Sequence, residues 1–203
     1  FRGTSLIILT MTVTELPKWL YEKRSKQPTW LLASSKFLSH YFDVHEIPLL
    51  KKMDSKVSSR TIRDFLTQGK IKEANSLLGH NYRLGGYVVE GMKNGRAIGF
   101  PTANIDPDFP YVIPKVGVYI GYAFIHDTKY RAMISVSTHP TFTELNLPII
   151  EVHIIDYNGT LYGDYVFIEF VNFIRDIIRF IEPSDLVKQL EKDKETTINC
   201  LQL

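Results

Sequence analysis

Hydrophobic and polar positions along the chain follow two regimes that meet near Tyr82. In the first, Ser5 to Leu9 reads as a short buried strand, residues 16–26 carry helical spacing with Trp19 and Leu20 on the apolar side, and residues 30–33 and 42–50 read as further strands. That succession predicts a small α/β layer. Ser58 and Ser59 then stand where a helix N-cap is wanted, Ile62, Phe65 and Leu66 supply an apolar stripe, and Gly69 stops the run. A second helix is expected from Ile71 to Leu78, ended by Gly79.

From Tyr82 the period becomes that of strands. Residues 86–92, 117–125, 130–136, 149–155 and 165–173 favour β-branched and aromatic side chains, with turn signals at His126-Asp127 and Asn158-Gly159. In the segment 117–125 one face carries Val118, Ile120, Tyr122 and Phe124, and the other Gly117, Tyr119, Gly121 and Ala123, small enough to permit strong curvature. Successive strands without helices between them predict an antiparallel sheet closed or nearly closed into a barrel. Glu182-Pro183-Ser184-Asp185 then opens a helix whose apolar side is Leu186, Val187 and Leu190, running to about Lys194. The expected class is α+β, divided into residues 1–80 and residues 81–203, without internal repeats or low-complexity segments.

Composition narrows the function classes. A chain of 203 residues can bury a core without staples, as one large domain or two small ones. Its single cysteine, Cys200, cannot form an internal disulfide, and no apolar run reaches membrane-spanning length, so a cytoplasmic protein without a membrane partner is expected. A net charge of +2 is too small to indicate nucleic acid as a partner. Lys51, Lys52, Lys56, Arg60 and Arg63 form a local basic cluster, which reads first as a solvated face and second as a phosphate site. The chain opens on Phe1, from which a processed or incomplete start is expected rather than a natural boundary.

One stretch is not explained by core, turn or solubility demands: Gly95-Arg-Ala-Ile-Gly-Phe-Pro-Thr-Ala-Asn104. Gly95 and Gly99 supply backbone freedom, and Pro101 fixes its own φ and extends Phe100. Thr102 and Asn104, two residues apart, face the same way in extended chain and offer oxygen ligands suited to Mg²⁺ and phosphate. A Gly/Pro turn entering a strand is the competing reading. Glu151 lies between Ile150 and Val152, so it faces away from them together with His153 and Ile155, as a surface carboxylate or as a placed base. His153 and His139 have no second histidine or cysteine at ligand spacing, which argues against a metal there.

Gly-Phe-Pro-Thr-Ala-Asn resembles the signature of the riboflavin kinase family. The resemblance continues in the family's order through Gly117-Val118-Tyr119, His139-Pro140-Thr141-Phe142, Glu151 to Asp156, Leu161-Tyr162-Gly163 and Phe173-Ile174-Arg175. It implies a six-stranded Greek-key barrel with a C-terminal helix, and transfer of the γ-phosphate of ATP to the ribityl 5′-hydroxyl of riboflavin with Mg²⁺. It further implies Glu151 as catalytic base, Thr102 and Asn104 as contacts to Mg²⁺ and the ATP phosphates, amides near Gly95 and Gly99 as the phosphate cradle, and Arg175 beside the flavin. Ser135 and Ser137 depart from the asparagine and glycine usual before Pro140-Thr141-Phe142.

Upstream, Val57-Ser58-Ser59-Arg60-Thr61-Ile62-Arg63 is similar to a phosphate-lining motif of the flavin adenylyltransferase domain often fused ahead of bacterial riboflavin kinases, with Arg60 interrupting it. A capped helix explains the same residues. That domain's His-x-Gly-His motif does not occur in the sequence, and Ser34-Ser35-Lys36-Phe37 stands where its glycine-rich segment belongs, so no FAD synthesis is expected from residues 1–80. The alternatives are a flavin- or nucleotide-binding module with weak catalysis, a fragment of a bifunctional enzyme, and a barrel that stacks nucleic-acid bases on Tyr119 and Tyr122.

Overall fold

The structure, a computed structural model, describes residues 6–9, 44–47, 51–52, 55–91, 94–138 and 148–201. Contacts divide the chain into Phe1–Val57 and Ser58–Leu203. In the first unit β1 (Leu6–Leu9) pairs antiparallel with β2 (Val44–Ile47), and β3 (Lys51–Lys52) pairs with β4 (Ser55–Lys56). The helix expected over 16–26, the strand over 30–33, and Ser34-Ser35-Lys36-Phe37 lie outside the described residues.

The second unit opens with a helix pair, α1 (Ser59–Thr67) and α2 (Ile71–Leu78). Ser58 caps α1, its Oγ accepting the Thr61 N–H at 3.2 Å, which satisfies a donor that the first turn leaves over. Gly79 ends α2 in the left-handed region at φ 80°, its N–H bonded to Asn75 O. Leu66, Ile71 and Ala74 are buried in the same core as the barrel interior. Asn75 ties the pair to the sheet, because its Nδ2 donates to Phe170 O and its Oδ1 accepts the Tyr82 N–H, both at 2.8 Å.

The barrel is made by β5 (Tyr82–Val89), β6 (Ala103–Pro107), β7 (Gly117–Ile125), β8 (Thr128–Thr138), β9 (Pro148–Ile154) and β10 (Tyr165–Arg175). They close in the order β10-β5-β6-β9-β8-β7, every pair antiparallel. β7 turns its Gly117, Tyr119, Gly121 and Ala123 face inward, where Tyr119 packs edge-on against Phe170 and Phe173, both at 5.3 Å between centroids. Burying side chains of this size contributes about 1.5–3 kcal/mol each. The Tyr119 hydroxyl is satisfied inside by the Lys115 carbonyl, and burial pushes its pKa up. With Tyr119 fully buried and Tyr122 nearly so, neither ring is a platform for stacking bases.

His126 and Asp127, at φ 45° and 65°, form the two-residue turn of the β7–β8 hairpin, the backbone that this connection demands. Asn158-Gly159 instead sits in the longer connection between Ile154 and Tyr165, since β9 pairs with β6 and β8 and not with β10. β5 begins at Tyr82, earlier than the alternation suggests, because residues 82–85 find partners on β10. After β10 comes α4 (Pro183–Cys200), which continues well past Lys194. α4 covers part of the barrel's outer wall, with Val187 and Leu190 packed on Phe100, Met133 and Ile155.

Candidate active site

Strand register assembles the site. Reading across the ladder, Val89 stands opposite Asn104, Asn104 opposite Glu151, Glu151 opposite Ser135, Ser135 opposite Val118, and Val118 opposite Arg175. Directly opposed residues share a face of the sheet. Their neighbours Val88, Ile105, Val152, Ile150, Ile134, Val136 and Tyr119 fill the barrel, so this belt lies on the outer wall. All of the belt lines one cavity of about 840 Å³ between the wall and α4, within the size range of small-molecule sites.

Arg175 reaches the belt through irregularity. Up to Phe170, which stands opposite Gly121, the β10–β7 ladder is regular and would continue to pair Phe173 with Val118. Two register shifts, between Phe170 and Asn172 and between Phe173 and Arg175, bring Arg175 there instead. Its guanidinium is held from the helix: Nε donates to Asp193 Oδ2 at 3.0 Å and Nη2 to the same oxygen at 2.7 Å, while Nη1 donates to the Asp176 carbonyl at 3.1 Å. Asp193 is buried and also accepts from Gln189 Nε2 at 2.8 Å. The planar face of Arg175 is thereby fixed at the cavity wall.

The glycine loop lines the same cavity. After β5 the chain makes a single helical turn, α3 (Asn94–Ala97), and folds back so that the Phe100 N–H bonds Gly95 O at 2.9 Å. Gly99 takes φ 83°, and its N–H donates to Arg96 O at 3.3 Å. Gly95, Thr102, Asn104, Glu151 and Arg175 line the cavity, whereas Gly99 does not and serves the shape of the turn. His153 steadies the loop, since it is buried, its Nδ1 lies 2.8 Å from Pro101 O, and its ring lies 5.1 Å from that of Phe100. His139-Pro140-Thr141-Phe142 lies outside the described residues.

Burial pushes the His153 pKa below its ordinary value of 6.5, outweighing the upward pull of the Pro101 carbonyl, with Lys194 lowering it further and Glu191 and Asp156 opposing. At neutral pH the ring is uncharged and its Nδ1–H donates to Pro101. Between the lowered folded value and 6.5 the unfolded chain binds the proton and the folded chain does not. Stability therefore holds above that window and is lost as pH falls through it. Denaturation midpoints between about pH 5 and 8 should show this loss in the wild type and a shallower one in His153→Gln. Identical pH profiles would place the acid-sensitive group elsewhere.

The donor set at the rim consists of oxygens: the Thr102 hydroxyl, the Asn104 carboxamide and the Glu151 carboxylate. Among the described residues no group of three or more His, Cys, Asp or Glu is gathered to cage a metal ion. Thr102 and Asn104 fit instead the mode in which Mg²⁺ takes few protein ligands and shares its shell with phosphate. Asp193 and Gln189 escaped the sequence reading, although a signal existed. Leu186, Leu190, Asp193 and Thr197 continue one helical stripe, and a carboxylate in a core-facing stripe requires a cation.

Residues 78–201 match the family model Flavokinase, described as riboflavin kinase. The chain is 37% identical over 163 residues to a bifunctional riboflavin kinase/FMN adenylyltransferase of Listeria monocytogenes, covering 80% of this chain and 52% of the relative. It is 39% identical over 151 residues to the protein of the same description in Bacillus subtilis, covering 73% and 48%. A crystal structure from Streptococcus pneumoniae, described as a macrolide-efflux protein, superposes with TM-score 0.76 at 38% identity, covering 82% of this chain and 55% of that one. The chain thus spans about half the length of the curated relatives it matches. Among the described residues no helix is long and apolar enough to cross a membrane.

Proposed function

The chain belongs to the riboflavin kinase family, and from that premise we propose that its barrel, residues 81–203, phosphorylates the ribityl 5′-hydroxyl of riboflavin with ATP, giving FMN and ADP. The observation that carries the proposal is the cross-strand belt, in which Glu151 stands directly opposite Asn104 and shares one cavity with Thr102 and Arg175. In phosphoryl transfer the protein mainly positions the reactants and neutralises charge, and one group accepts the proton of the attacking hydroxyl. Glu151 takes that proton as the ribityl oxygen bonds to the γ-phosphorus, the bond from that phosphorus to the bridging oxygen breaks, and the electron pair leaves with ADP.

Thr102 and Asn104 would hold Mg²⁺ together with the nucleotide, and the ion when bound supplies charge neutralisation across the β- and γ-phosphates. The loop closed by Gly95 forms the phosphate rim, and Gly99 keeps its turn. The cavity lining includes the apolar side chains Ile177, Ile178, Phe180 and Leu190, which suit a fused aromatic ring against which Arg175 lays its planar cation.

Chromatography of a reaction with riboflavin, ATP and Mg²⁺ should show FMN and ADP, and folded protein that makes none rules the proposal out. The same chain given FMN and ATP is expected to make no FAD, because charge on a departing pyrophosphate needs donors in place and the sequence lacks the histidine pair and the glycine segment. Steady FAD production would reveal an adenylyl-transfer site within residues 1–80. Thr102→Ala and Asn104→Ala should each weaken use of Mg-ATP by about 1.5–3 kcal/mol, the range for a hydrogen bond to a charged group, with riboflavin affinity retained. Equal loss of flavin fluorescence quenching would make the loop part of the flavin pocket.

A further inference from the structure

We propose that Gly91 is a positioning residue for the Asn104 carboxamide, an inference that rests on the kinase reading above. Both residues line the cavity, and Asn104 stands between Val89 and Glu151 in the ladder. A Cβ added at Gly91 would lie 1.9 Å from Asn104 Nδ2 and 2.6 Å from its Cγ. Any side chain at this position begins in the space that the carboxamide occupies. The absence of one lets the Asn104 side chain lie back over the chain leaving β5.

What a substitution would displace depends on the atom it meets. At Gly95 an added Cβ would come within 2.2 Å of the Phe100 carbonyl oxygen, which is backbone, so the loop itself would distort. At Gly91 the contact is the free end of a single side chain, which yields by rotating about its own torsions while the ladder stays paired. Gly91→Ala therefore moves a phosphate-facing group without dismantling the strand that carries it. No chemical group is added or removed at Asn104, and only its direction changes.

The test is a double-mutant cycle on the full chain, with kcat and KM for Mg-ATP measured for wild type, Gly91→Ala, Asn104→Ala and the double variant. Gly91→Ala alone should lower kcat/KM for Mg-ATP by a factor in the range of contacting pairs, roughly 2- to 150-fold. In the Asn104→Ala background the same change should have a factor near one, because the group it displaces is gone. Equal factors in both backgrounds overturn the proposal. A second readout needs no turnover: in protein labelled with isotopic asparagine, the side-chain amide signals missing from Asn104→Ala are those of Asn104, and they should shift in Gly91→Ala while other asparagine signals stay. Unmoved signals overturn the proposal. A wild type that makes no FMN defeats the kinase reading alone, and the amide signals still decide the placement of Asn104.

Discussion

Glu151→Gln is expected to lower kcat for FMN formation by about 10²–10⁴-fold, the usual consequence of removing a general base. KM for riboflavin and for Mg-ATP should stay within a few-fold of wild type. The asymmetry follows from when the carboxylate acts: proton transfer develops in the transition state, so its loss falls on kcat more than on ground-state affinity. Glutamine keeps the length and most of the shape of glutamate, and its backbone keeps the pairings to Asn104 and Ser135. A folding defect is therefore not the expected cause of a slow variant, and an unchanged urea midpoint would confirm that. The competing use of this carboxylate is as a ligand around the nucleotide's cation, in which case KM for Mg-ATP would rise along with the fall in kcat. A variant that turns over near the wild-type rate moves the base to another group.

What the sequence made legible depended on whether local residues carried the information. β7 and its division into two faces followed from alternation, although which face turns inward depends on barrel closure, and the orientation of Glu151 away from Ile150 and Val152 followed from the same rule. β6 is not legible in the sequence pattern, because Ala103–Pro107 is short, carries Asn104 and Asp106, and becomes a strand through its ladders with β5 and β9. The apolar pattern of α4 fades near Lys194 because the buried positions there, Asp193 and Thr197, are polar and break the hydrophobic stripe without breaking the helix. The site behaves likewise. Asn104, Glu151 and Arg175 were each recognisable by resemblance, but their meeting on one wall depends on register and on two bulges in β10, neither of which is encoded within a single strand. Gly99 illustrates the converse, since a residue of the motif has its amide engaged within the loop and stands outside the cavity.

Asp193→Ala should destabilise the barrel unit by about 3–5 kcal/mol, the cost of breaking a buried ion pair from one side. Asp193 is 1% exposed and the Arg175 side chain 16%, so removing the carboxylate leaves a guanidinium that water reaches poorly. Gln189 loses its acceptor as well. The second consequence falls on the site, because Nε and Nη2 of Arg175 are oriented by Asp193, and a guanidinium freed from it no longer presents a fixed face to the cavity. Stability and flavin binding should thus fall together in the single variant. They separate in Arg175→Met/Asp193→Leu, because replacing both partners of a buried pair with apolar side chains of similar volume is often neutral or stabilising. That double variant should regain most of the urea stability while its riboflavin affinity, read by fluorescence quenching, stays low. If affinity returned with stability, Arg175 would serve only to fasten α4 to β10, and the flavin ring would be held by the apolar wall alone.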